Sequence, residues 1–84
     1  GNAAEYSMAD LKRALNPMPE DVRAALVKAD LVEVYEARPP YQRNDYLGWI
    51  GRAKREETRA KRLRQMVEEL RKGDVYMNMK WNGG

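Results

Sequence analysis

Apolar positions recur at helical spacing along most of this chain. Met8, Leu11 and Leu15 stand three and four residues apart behind Ser7, a suitable N-cap, with Asp10 three residues further on. Asn16-Pro17 ends that short segment, because the residue before a proline is pushed out of the α region. Pro19 then suits the first turn of a second helix, and Glu20 and Asp21 favour the positive end of its dipole. Val22, Ala25, Leu26 and Ala29 give that helix one apolar stripe. Asp30 is expected to stop it and to cap a short helix carrying Leu31, Val34 and Tyr35. Arg38-Pro39-Pro40 breaks the chain, and Pro40 fits the first turn of a helix running from about Tyr41 to Lys54. Tyr46, Trp49, Ile50 and Ala53 share one side of it, while Gly48 and Gly51 each cost about 1 kcal/mol relative to Ala. Such glycines predict something packed closely against them. In the last helix Ala60, Leu63, Met66, Val67 and Leu70 form a stripe that Arg71-Lys72 and a C′ Gly73 bring to an end. Its length of about seventeen residues spans roughly 25 Å. Glu57 and Glu68 each precede a lysine by four residues, Lys61 and Lys72, the favourable order for ion pairs.

After Gly73 the period changes to two. Val75, Met77, Met79 and Trp81 alternate with Tyr76, Asn78, Lys80 and Asn82, as in a strand. With no second strand in view, an extended or flexible tail is expected, anchored by Trp81. The predicted fold class is therefore all-α: a small bundle of three main helices plus a short N-terminal helix, with an extended C-terminal tail. Residues 1–18 form the N-terminal segment with the short helix, 19–73 the helical domain and 74–84 the tail. The expected core comprises Val22, Leu26, Leu31, Val34, Tyr35, Tyr46, Trp49, Ile50, Leu63, Met66, Val67 and Leu70.

Composition narrows the chemistry. A chain of 84 residues makes one domain, and at this size it buries only about 60–65% of its unfolded surface. With 43% apolar and 35% charged residues it should fold with a heavily ionised exterior. There is no cysteine and no histidine, so disulfides, thiolate chemistry, the commonest general base and the commonest metal ligand all drop out. Ser7 and Thr58, the single serine and threonine, suit helix caps better than nucleophiles. Neighbouring acids such as Glu56/Glu57 and Glu68/Glu69 diverge by about 100° on a helix and cannot converge on a substrate. We therefore expect no catalytic residue, no metal and no cofactor. The longest apolar run, Ala24 to Val27, is far below the ~20 residues of a membrane span. No basic and apolar leader opens the chain, so a cytoplasmic location is the default expectation. Gly1 in place of Met leads us to expect further residues upstream.

Charge distribution adds a candidate surface. Between Arg52 and Arg64, seven basic residues stand against Glu56 and Glu57, a local excess of five in a chain of net charge +3. Lys61 and Arg64 lie off the apolar stripe and should face water, whereas Arg59 falls inside it. A buried guanidinium requires a partner, and Asp45 or Glu36 are the candidates for this structural ion pair. The expected partner-binding surface is Arg52, Arg55, Lys61 and Arg64, facing a protein. The alternative partner is nucleic acid, with Arg55, Lys61 and Arg64 on phosphates. A row of exposed aromatics for single-strand stacking is missing.

From Pro40 to Gly73 the chain resembles the helical C-terminal region of the YdeI/OmpD-associated, or bacteriocin-protection, family of bacteria. The residues that carry the resemblance are Arg43, Tyr46, Leu47, Trp49, Ile50, Ala53 and Lys54, followed by Thr58, Arg59, Arg62, Leu63, Val67, Leu70 and Gly73. Pro19-Glu20-Asp21 and the Val22/Ala25/Leu26 helix also fit the family's lead-in, so the resemblance covers about 55 of 84 residues. Glu56 departs from it, standing where the family often has a proline. The resemblance implies a link to bacteriocin resistance and to an outer-membrane porin; it implies no catalytic residue and no ligand.

Overall fold

The computed structural model describes residues 16–82. The short helix expected behind Ser7 lies outside the described residues. Four helices follow one another: α1 (Glu20–Lys28), α2 (Val32–Ala37), α3 (Pro40–Gly51) and α4 (Glu56–Lys72). Two short strands close the chain, β1 (Val75–Tyr76) and β2 (Met79–Lys80), paired antiparallel with Val75 opposite Lys80 and Tyr76 opposite Met79. The described residues are thus mostly helical, in line with the expected class, with four helices and a small two-stranded sheet where three main helices and an extended tail were expected.

Local chemistry sets the boundaries. Glu20 and Asp21 occupy the first turn of α1, and Lys28 its last. Asp30 does stop α1, by taking a φ of 59°, but it does not cap α2, whose N-cap is Leu31. Asp tolerates that left-handed conformation better than most residues, and adopting it turns the chain directly into Leu31. Pro40 stands at the start of α3, where its missing N–H costs nothing. That helix ends at Gly51, short of Lys54. Because α4 begins at Glu56 with Arg55 as its N-cap, Thr58 lies inside the first turn and caps nothing. Gly73 ends α4 with φ 85°, the left-handed C′ geometry that glycine adopts without penalty.

The tail departs most from expectation. Its alternating residues are two strands folded about Met77 and Asn78, both at positive φ, 50° and 65°. Two-residue turns of that hand match the natural twist of a hairpin. Methionine is a poor choice for such a turn, and the reason it is tolerated lies in α4, described below. Trp81 does anchor the end of the hairpin: its N–H donates to Asp74 O at 2.9 Å, and its ring stacks on Arg38.

The core comprises Val22, Leu26, Leu31, Tyr35, Tyr46, Leu47, Ile50, Met66 and Leu70. Trp49, Leu63 and Val67, expected inside, pack against its edge and remain half-buried. Val34 is 37% exposed, because α2 turns Leu31 and Tyr35 inward and the residue before Tyr35 points about 100° away. Leu47 joins the core because α3 is enclosed on more than one side. Asn16 crosses it at Gly48, donating to the Asn44 side chain and backbone carbonyl, and a Cβ on Gly48 would meet Asn16 Nδ2 at 2.9 Å. Gly51 is different: beyond its chain neighbours and its own helix backbone, nothing lies within 4 Å of its Cβ position. Three polar side chains are buried with the core, Arg38, Gln42 and Glu69.

Candidate functional site

The seven cations between Arg52 and Arg64 divide into two groups. Arg59 donates from Nε and Nη2 to both carboxylate oxygens of Asp21, at 2.8 and 2.9 Å, and from Nη1 to Ile50 O at 3.4 Å. Its partner is therefore on α1, not Asp45 or Glu36. The Arg59 guanidinium holds the Asp21 carboxyl below its ordinary value and is itself held protonated. Arg62 donates to Trp49 O at 2.7 Å and lies 5.3 Å from the centre of the Trp49 ring. Both arginines are committed to joining helices.

Arg52, Lys54, Arg55, Lys61 and Arg64 are exposed, and among the described residues none of them has a carboxylate within ion-pair distance. Glu57–Lys61 and Glu68–Lys72 do not form; Glu68 instead meets Arg71, three residues on, at 3.6 Å. Arg52 and Arg55 sit in the link between α3 and α4, at the C-cap of one and the N-cap of the other. Lys61 and Arg64 stand elsewhere, on the wall of a groove of about 830 Å³ between α1 and α4. Of the four residues named from the sequence, Lys61 and Arg64 line the groove and Arg52 and Arg55 do not.

The groove follows from side-chain size. Ala25 on α1 and Ala29 at its C-cap face Ala60, Leu63 and Val67 on α4, and alanine leaves the space between the two helices unfilled. Lys28 stands on the α1 rim, and Lys61, Arg64, Glu68 and Arg71 on the α4 rim. The result is an apolar floor under a rim with four cations and one acid. No sequence periodicity announces this, since Ala25 and Ala29 read equally well as core.

A second cluster lies where the hairpin meets the helices. Glu69 Oε1 accepts from the Tyr46 hydroxyl and from Met77 N–H, the latter at 2.8 Å. Its Oε2 accepts from Asn78 N–H at 2.8 Å and from the Gln65 amide at 3.0 Å. Burial pushes the Glu69 carboxyl up, but the bonds from Tyr46, Asn78, Met77 and Gln65 together outweigh it and hold the carboxyl below its ordinary value. Burial, reinforced by the Glu69 bond, raises the Tyr46 hydroxyl. Arg38 donates to Gln42 Oε1 at 2.9 Å, to Glu69 O at 3.1 Å and to Val75 O at 2.9 Å, with its guanidinium 4.5 Å from the centre of the Trp81 ring. Tyr76 donates to Asp45 and packs edge-on against Tyr41 and Tyr46. Through Arg38, Glu69 and Asp45 this cluster holds the hairpin and its turn against α3, α4 and the end of α2. Sequence reading missed this cluster. The available signal was Glu69, an acid beside the α4 stripe residues Met66 and Leu70.

Chemically, the two places differ. Tyr46 and Glu69 are closed off from solvent, 0% and 3% exposed. Among the described residues no group of three acids converges as a metal site would require, and no helix is long and apolar enough to cross a membrane. The open groove can offer apolar contact and positive charge.

These features define a small, mostly helical domain with a basic-rimmed groove and a hairpin latched to its last helix. Residues 17–73 match the family described as bacteriocin-protection, YdeI or OmpD-associated (OmdA), and the chain belongs to that family. No curated protein and no solved structure matches it. The family match ends at Gly73, so the four described helices lie within it and the hairpin beyond it.

Proposed function

We propose that this chain is a non-catalytic interaction module that presents the basic surface between Arg52 and Arg64 to a protein partner. One observation carries the reading. Five cations of that segment stay in solvent without a carboxylate partner among the described residues, while Arg59 and Arg62 are consumed by the fold. Unpaired charge at a surface is available for association, where it steers an oppositely charged partner. Two further points support it. The family's description speaks of association with OmpD, and a chain without histidine or cysteine lacks the usual equipment of a catalytic site.

The test is a photo-reactive phenylalanine analogue placed at Lys61 in the full chain, in cells of the native host, with Glu33 on α2 as the comparison site. A discrete, protease-sensitive adduct from position 61 and not from 33 is the expected result. A nuclease-sensitive adduct would move the assignment to nucleic acid. The absence of any adduct, or the same one from both sites, would overturn the reading.

A further inference from the structure

The geometry points to the occupant: we propose that the groove between α1 and α4 receives an acidic, amphipathic helix of the protein partner. This rests on the interaction reading above and adds the place and the chemistry. The floor of Ala25, Ala29, Ala60, Leu63 and Val67 is apolar and made largely of small residues. Small side chains let a helix backbone approach closely, so the floor suits the apolar face of an incoming helix. On the rim, Lys61, Arg64 and Arg71 climb α4 over ten residues, about 15 Å of helix. Lys28 stands across from them on α1. Arg71 already meets Glu68, which leaves Lys28, Lys61 and Arg64 for carboxylates brought in from outside.

The recognition mode is a helix laid in a groove, read by anchors at i, i+3, i+4 and i+7. About three turns of partner helix cover the distance from Lys61 to Arg71. Its apolar side would rest on Leu63 and Val67, with Asp or Glu on both flanks. Charge argues against a second copy of this chain in the same place, since two such rims would meet with like sign. The apolar floor argues against duplex nucleic acid, since it offers nothing to a phosphate.

The experiment uses two labelled helical peptides of roughly fourteen residues, identical in their leucine positions and flanked by glutamate in one and lysine in the other. Fluorescence anisotropy with the full chain should show the glutamate peptide bound at least about tenfold more tightly than the lysine peptide. The exposed substitutions Lys61→Glu and Arg64→Glu together should invert that order. Ala60→Gln, which obstructs the floor without touching the charge, should weaken both peptides several-fold. Amide shifts in NMR spectra should fall on Ala25, Ala29, Ala60 and Val67. Equal affinities, no binding of either peptide, shifts confined to Arg52–Arg55, or displacement of the peptide by a DNA duplex would overturn the groove assignment. So would concentration-dependent self-association that Ala60→Gln abolishes. If neither peptide binds while position 61 still cross-links to a protein, the groove proposal fails and the interaction reading stands. If the glutamate peptide binds while position 61 forms no adduct in cells, the groove chemistry holds and the interaction reading fails.

Discussion

Replacing Glu69 by glutamine preserves shape and removes one acceptor from a carboxylate that takes four hydrogen bonds. Two arrangements of the new amide are available. If its oxygen takes the Oε1 position, the NH2 group faces Asn78 N–H and the Gln65 amide, both seen donating to Oε2. If its oxygen takes the Oε2 position, the NH2 faces the Tyr46 hydroxyl, which can rotate to accept, and Met77 N–H, which cannot. The Gln65 amide can flip to accept in the first as the Tyr46 hydroxyl rotates in the second, so either arrangement leaves one amide of the hairpin turn without a partner. A buried donor so abandoned costs about 1–3 kcal/mol, and the surviving bonds lose their charge assistance. The sum is roughly 2–4 kcal/mol in a domain whose whole stability, at about 0.05–0.15 kcal/mol per residue, lies near 4–13 kcal/mol. Urea denaturation followed by circular dichroism measures that loss. Hydrogen exchange locates it, because Met77 and Asn78 amides should lose protection well before Leu26 or Ile50. A loss below about 0.5 kcal/mol, or Met77 and Asn78 protected as in the parent, would refute the role of Glu69 as holder of the turn.

Further outcomes follow from the same contacts. Arg38→Lys gives up the fork that reaches Gln42, Glu69 O and Val75 O and the stack on Trp81; it should cost about 2–3 kcal/mol and shift the Trp81 indole resonance in NMR spectra. Gly51→Ala meets open space and should raise stability by about 0.5–1 kcal/mol, whereas Gly73→Ala forces a side chain onto φ 85° and should lower it by about 1 kcal/mol, both read from urea midpoints. Because Glu69 and Asp21 have folded values below their ordinary 4.5 and 3.8, the stability they contribute is present above those values and lost as pH falls through the lowered ones. The stability gap between the parent and Glu69→Gln should accordingly narrow on acidification below about pH 4.5; a gap independent of pH would contradict the linkage.

How far the sequence reveals this fold depends on whether the deciding contact is local. The four described helices are legible because their stripes, the Pro40 start and the Gly73 stop all act within a few residues. The hairpin is not, since Met77-Asn78 lacks the glycine that marks such turns. What permits the turn is a carboxylate eight residues earlier, on the inner side of α4. Glu69 is 3% exposed against the expectation for an acid, and nothing in the spacing of apolar residues predicts that. The groove is illegible for the converse reason. Ala25, Ala29 and Ala60 repeat at core spacing, and only the distance between α1 and α4 decides that they line a space.

The basic excess could be seen in the sequence and yet not sorted, because the sorting is again done by distant contacts. Four arginines of this fold donate to main-chain carbonyls at or near the ends of helices: Arg43 to Arg38 O after α2, Arg62 and Arg59 to Trp49 O and Ile50 O in the last turn of α3, and Arg38 to Glu69 O in the last turn of α4. Carbonyls near helix C-termini have a lone pair to spare even where a backbone N–H already reaches them, and a guanidinium offers several donors in a fixed plane. The four described helices make no side-chain cap at their N-termini, where acceptors are needed; arginine, a donor only, serves their C-terminal ends. Each such arginine is withdrawn from any surface role. Lys61 and Arg64 escape because they point toward the side of α4 that α1, with its alanines, fails to fill. Positive charge is therefore left over where apolar contact is also left over, and that coincidence, more than the net charge of the chain, is the ground for proposing that a partner docks in the α1–α4 groove.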